Sequence, residues 1–158
     1  MKKINLKING NLKQVVADSK LVLLDLLREQ FRLTGAKQSC DRKGQCGACT
    51  VIVDGKAVKS CLVKVEKLDN ADVITVEGLG TPDNPHLIQE AFVLAGAVQC
   101  GFCTPGMIMK AHGLLAENPA PTKEEILYEM EGNLCRCGAH TRIVDAIQTA
   151  AREIKGEQ

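Results

Sequence analysis

Cys40-Asp41-Arg42-Lys43-Gly44-Gln45-Cys46-Gly47-Ala48-Cys49, with Cys61 following after eleven residues, sets four thiols within one short span of chain. Four thiolates complete the ligand set of one [2Fe–2S] cluster. They also satisfy tetrahedral zinc, but zinc sites usually pair two C-x2-C units, and this set is three plus one. Gly44 and Gly47 allow the backbone to turn its N–H groups inward, toward sulfurs that carry negative charge.

The order C-x5-C-x2-C lies one residue from the plant-type ferredoxin spacing, C-x4-C-x2-C with a distant fourth cysteine. The other four cysteines form a second set, Cys100-Gly101-Phe102-Cys103 and Cys135-Arg136-Cys137. The eight cysteines thus divide into two complete sets with none left over. A redox-active C-x-x-C ahead of a helix is the rival reading for Cys100 and Cys103. It leaves Cys135 and Cys137 without a role, and a C-x-C pair is poorly placed to bridge itself. The βαβ context of thioredoxin-like chemistry is also missing. With thiolates sufficient, His86, His112 and His140 read as surface or helix-end residues. Met107 and Met109 read as core packing, and Lys2, Lys3, Arg42 and Lys43 as solvated charges.

Residues 3–8 and 12–16 alternate about Asn9-Gly10-Asn11, which signals a hairpin. Asp18-Ser19 is expected to cap a helix carrying Leu21, Leu23, Leu24, Leu26, Leu27 and Phe31. After the cysteine loop, Thr50–Val53 and Ala57–Val63 read as strands joined at Asp54-Gly55, which places Cys61 on the returning strand. Val73–Val76 reads as a further strand. The pattern predicts an α+β unit, a sheet bent over one helix. Gly80–Pro85 then has the composition of a linker.

Beyond it the period is helical. His86–Val98 carries Leu87, Ile88, Ala91, Leu94, Ala95 and Val98 on one face. Thr104 as cap and Pro105 open a second helix running to about Glu117. Thr122–Glu125 is a capping box for a third helix ending near Gly132, and Thr141–Ile154 forms a fourth. Four short helices with short loops predict an antiparallel bundle whose inter-helix loops converge the second cysteine set. Helix N-termini near Thr104 and Thr141 would then face an anionic group.

Of 158 residues, 45% are apolar, yet there is no Trp, one Tyr and three Phe. The core is therefore expected to be aliphatic, and two halves this small gain from a metal staple. A net charge of +1 without blocks of like charge does not suggest nucleic-acid binding. The opening MKKINLKING alternates in polarity and offers no signal-peptide core, and no run is long enough to enter a membrane. A cytoplasmic setting is expected, where thiols stay reduced and favour metals.

Gly44-Gln-Cys-Gly-Ala-Cys-Thr-Val51, Gln99-Cys-Gly-Phe-Cys-Thr-Pro-Gly106 and Gly132-Asn-Leu-Cys-Arg-Cys137 resemble the small iron–sulfur subunit of the xanthine dehydrogenase, or molybdenum hydroxylase, family. The resemblance covers nearly the whole chain. It implies a β-grasp 2Fe-2S ferredoxin-like domain over residues 1–78 and a helical four-helix bundle domain over 84–158. It implies two [2Fe–2S] clusters, one held by Cys40, Cys46, Cys49 and Cys61, the other by Cys100, Cys103, Cys135 and Cys137. The implied partners are a large molybdopterin-binding (molybdenum) subunit and commonly an FAD-binding subunit. Such complexes are oxidoreductases that hydroxylate a carbon centre and pass electrons outward. Gln99 and Cys137 would approach the pterin, so the C-terminal cluster would accept electrons first. No catalytic residue is expected on this chain, because the substrate chemistry belongs to the partner. Two departures stand out: the extra residue within Asp41–Gln45, expected to be absorbed as an exposed bulge, and Gly138-Ala139-His140 where many members read Thr-Gly-Tyr.

Overall fold

A computed structural model describes residues 1–156; the last two positions of the 84–158 span lie outside the described residues. Strands β1 (Lys2–Ile8) and β2 (Asn11–Ala17) form an antiparallel hairpin about Asn9 and Gly10, both with positive φ. β3 (Thr50–Val53) and β4 (Lys56–Lys59) form a second about Asp54-Gly55. β5 (Asp72–Ile74) enters between them, parallel to β1 and antiparallel to β3, giving one sheet in the order β2-β1-β5-β3-β4. Alternation along β1 sends Ile4, Leu6 and Ile8 inward, against Leu23, Leu24, Leu26 and Leu27. Each such fully buried aliphatic side chain contributes about 1.5–3 kcal/mol.

Those leucines sit on an element shorter than expected. A single α turn, α1 (Leu23–Asp25), widens at once into a π-helix over Leu26–Gln30. Asp18 does not cap it; its carboxylate accepts the N–H groups of Lys20 and Leu21 in a local turn, and the helix begins after Val22. Leu23, Leu24, Leu26 and Leu27 are all buried along this element. β4 likewise stops at Lys59. Cys61 lies not on a strand but on a 3-10 turn, Ser60–Leu62, where the buried Ser60 hydroxyl donates to the Cys49 carbonyl at 2.7 Å. The Ser60 N–H donates to the same carbonyl at 3.2 Å, so the residue before Cys61 is tied to Cys49.

Four helices follow: α2 (Leu87–Leu94), α3 (Thr104–Glu117), α4 (Lys123–Met130) and α5 (His140–Ile154). They share a core in which Ile88, Ala91 and Phe92 of α2 meet Ile143, Ile147 and Ala150 of α5. Phe92 is the exception to an aliphatic interior. α2 ends four residues before Val98, because Gly96 at φ +63° reverses the chain; Leu94 and Val98 consequently face solvent. His86 is its N-cap, with Nδ1 accepting the Ile88 N–H in a capping box with Gln89. Thr122 and Glu125 form the capping box of α4 as the sequence indicates. Thr104 is the first helical residue rather than the cap, a role taken by Cys103. Among the described residues no helix is long and apolar enough to cross a membrane.

The sheet core and the helical core touch through α3, which packs on β3 and β4. Glycine permits this: a Cβ on Gly113 would come 2.7 Å from that of Ala57.

Candidate metal centres

The first cysteine set is assembled by the loop before β3 and the 3-10 turn after β4. Cys46, Cys49 and Cys61 are buried and Cys40 is partly exposed. The loop between Cys40 and Cys46 is exposed at Asp41, Arg42 and Lys43; Asp41 and Arg42 adopt left-handed backbone at φ 55° and 62°, followed by Gly44 at 68°. Arg42 holds the loop down through Asp25 at 2.9 Å, and the Lys59 ammonium donates to the Gly44 carbonyl at 2.5 Å. Arg42 is therefore a paired charge, not merely a solvated one.

The thiols meet in pairs, Cys40 with Cys46 and Cys49 with Cys61. The N–H of Cys46, then those of Gln45 and Lys43, draw the Cys40 pKa down to about 6. Burial, then contact with the Cys49 thiol, pushes Cys61 up to about 12.

The second set repeats the arrangement between α2 and α3 and between α4 and α5. Cys100 pairs with Cys137, and Cys103 with Cys135. Burial, with Cys135 alongside, pushes Cys103 up to about 12. The Phe102 N–H and the Cys137 thiol lower Cys100. At Cys135 burial opposes ionisation, but the N–H groups of Ala139, Cys137 and Gly138 and the Cys103 thiol together bring its pKa down. The Ala139 N–H lies 3.4 Å from the Cys135 sulfur. Cys100, Cys137 and the neighbouring Gln99 are all exposed, so this set presents one edge to the surface.

This donor set suits two irons better than one ion. A [2Fe–2S] cluster asks instead for two thiolates on each of two irons, which is the two-by-two pairing seen in both sets. Backbone N–H groups aimed at Cys40, Cys100 and Cys135 favour thiolate, the form in which cysteine binds metal. A cavity of about 590 Å³ lies between the sets, lined by Cys46 on one side and by Cys100, Cys103 and Cys135 on the other.

Comparison with known proteins agrees with this geometry. A model for a 2Fe-2S iron-sulfur cluster binding domain matches residues 6–76, and one for a [2Fe-2S] binding domain matches residues 75–148. The nicotinate dehydrogenase small FeS subunit of Eubacterium barkeri is 48% identical over 93% of both chains. The chain belongs to the small iron–sulfur subunits of the xanthine dehydrogenase, or molybdenum hydroxylase, family. Among solved structures, quinoline 2-oxidoreductase from Pseudomonas putida 86 superposes with a TM-score of 0.89 at 39% identity, covering 99% of this chain and 98% of that one. Aldehyde oxidoreductase from Desulfovibrio gigas superposes with a TM-score of 0.96 at 42% identity. This small subunit spans only 18% of that much longer chain.

Sequence reasoning missed the residues that join the two sets. Leu134 donates its N–H to the Cys46 carbonyl at 2.9 Å. The buried Asn133 amide reaches Gly47 and Gly106, residues flanking the two cysteine motifs. Only the motif Gly132-Asn-Leu-Cys signalled them, and it gave no hint of what Asn133 touches.

Proposed function

We propose that this chain is the electron-transfer subunit of a molybdenum-dependent hydroxylase or dehydrogenase. It relays electrons from a molybdopterin centre on a large partner subunit to a flavin (FAD) subunit or an external acceptor. Cys40, Cys46, Cys49 and Cys61 hold one [2Fe–2S] cluster, and Cys100, Cys103, Cys135 and Cys137 the other. Each cluster supplies one-electron redox chemistry when bound; the chain's own part is to position, shield and hydrogen-bond the sulfurs. The two-by-two pairing of thiols in both sets is the observation that carries this reading. The exposed edge formed by Gln99, Cys100 and Cys137 is the side offered to the pterin.

Residues 1–78 form a β-grasp ferredoxin-like domain and residues 84–158 a four-helix bundle domain. Two separate hydrophobic cores and two family models meeting near residue 76 support that division. Reduced thiols in metal-binding sets favour a cytoplasmic setting.

Metal and sulfide analysis tests the reading. The expected content is about four irons and four acid-labile sulfides per chain, with two distinct [2Fe–2S] signals on reduction. A colourless, folded protein with stoichiometric zinc overturns it. The bulged loop at Asp41–Gly44 is expected to leave Cys40 a ligand, because three N–H groups already converge on its sulfur. Cys40→Ala should therefore change the spectrum of the first cluster and leave that of the second intact; an unchanged first signal removes Cys40 from the set.

A further inference from the structure

Among the described residues the buried polar side chains are Thr50, Ser60, Thr75 and Asn133, and only Asn133 carries two N–H donors. Its Nδ2 lies 3.1 Å from the Gly47 carbonyl, 3.2 Å from the Gly106 carbonyl and 3.3 Å from Thr50 Oγ1. Carbonyl oxygens only accept, so the amide must turn its nitrogen toward them. Thr50 spends its own proton on Gly47 O at 2.7 Å and offers Asn133 a lone pair.

These partners come from both halves of the molecule. Gly47 lies between Cys46 and Cys49, while Gly106 sits in the first turn of α3, which starts beside Cys103. The next residue, Leu134, donates to the Cys46 carbonyl and is bonded to Cys135. One dipeptide therefore ties the first cysteine loop, the helix leaving Cys103, and Cys135 together at a single buried point.

We propose that Asn133 is the positioning residue that fixes the separation and mutual orientation of the two cysteine sets, and with them the rate of electron passage between the sets. The proposal rests on the reading that each set holds a [2Fe–2S] cluster. An amide does this where a hydrophobic residue cannot, because three converging acceptors from two halves need a shared donor. Asn133→Asp keeps the shape but sets an acceptor oxygen where the amide nitrogen stood. Asn133→Ala removes the donor and leaves a void. The carboxylate should be the more damaging.

The test uses the full chain, with wild type, Asn133→Ala and Asn133→Asp compared at equal iron and sulfide content. The fully reduced proteins are examined by electron paramagnetic resonance for spin–spin coupling between the clusters, which depends on their distance and orientation. Hydrogen exchange is followed in segments 44–53 and 131–138. Expected are intact signals from both clusters, coupling altered or lost in the variants, and exchange faster by about tenfold or more, as the loss of a buried donor implies. A role confined to stability would lower the melting temperature yet leave the coupling of fully loaded protein as in wild type, and that result overturns the proposal. If Asn133→Asp does not fold, Asn133→Ala decides by the same readout. If wild type shows no [2Fe–2S] signal, the cluster reading fails instead. Exchange alone then judges Asn133, unchanged rates counting against it.

Discussion

In a complex assembled with the molybdenum subunit, Cys103→Ala is expected to stop substrate from reducing the first cluster, and turnover should fall to background. Cys49→Ala should abolish turnover too, yet leave substrate able to reduce the second cluster at the wild-type rate. The asymmetry follows from where the sets lie. The second set opens to the surface at Gln99, Cys100 and Cys137. In the first, Cys46, Cys49 and Cys61 are buried, and its partly exposed member is Cys40, beside the Asp41–Lys43 loop. Between them stand the shared cavity and the Leu134–Cys46 hydrogen bond. One surface edge on each set and one junction inside make a two-ended relay. On the proposed ligation, removing either paired thiol opens the coordination of one iron and leaves the other set complete. Both variants must first co-purify with the partner at wild-type stoichiometry, because losing a cluster can unfold a small domain. Rapid mixing with substrate then separates the cases. If the first cluster is reduced at the wild-type rate in an assembled Cys103→Ala complex, electrons bypass the second set and the order is wrong.

Much of this architecture was readable from local signals. Asn9-Gly10 and Asp54-Gly55 dictated hairpins because few other residues accept left-handed backbone there. Thr122 through Glu125 announced α4 by satisfying two helix-end N–H groups at once. The two cysteine groups marked where the eight thiols gather. What escaped is what depends on contacts distant in sequence. The apolar run from Leu21 to Phe31 looks like a longer helix, but the α turn begins only after Val22 and passes into a π-helix at Leu26. The strand expected to carry Cys61 stops at Lys59, and both the N–H and the hydroxyl of Ser60 find the Cys49 carbonyl. Leu94 and Val98 fit an inward period, but the reversal at Gly96 leaves them in water. Asn133 was invisible for the same reason, since nothing in its neighbours says that Gly47 lies 86 positions away in sequence but one hydrogen bond away in space.

The junction between the halves should also be the most intolerant place for a single added carbon. Gly47 has φ +70°, and a Cβ there would stand 2.5 Å from Asn133 Cγ and 2.6 Å from the Gly132 carbonyl oxygen. Gly106 has ordinary helical backbone, but its Cβ would run into the Gly47 carbonyl oxygen. Gly10 provides the control, with φ +81° and nothing within 4 Å. Gly10→Ala then pays only for left-handed backbone, roughly 1–2 kcal/mol. Gly47→Ala adds a steric term of about 1–3 kcal/mol, because the obstruction is backbone and a hydrogen-bonded amide rather than a flexible side-chain end. For Gly106→Ala two effects compete. Helix propensity favours Ala by about 1 kcal/mol. The overlap with a carbonyl that already accepts from Thr50 and Asn133 outweighs it, since relieving it requires moving the first cysteine loop away from α3. Gly106→Ala should therefore lower the apparent melting temperature by roughly 4–8 °C despite its better helix former. Gly47→Ala should lower it further than Gly10→Ala does. Thermal melts of the loaded chain, with iron content measured before each, provide the comparison. A Gly106→Ala protein as stable as wild type would mean that α3 and the cysteine loop are not in contact, and the junction at Asn133 would lose its physical basis.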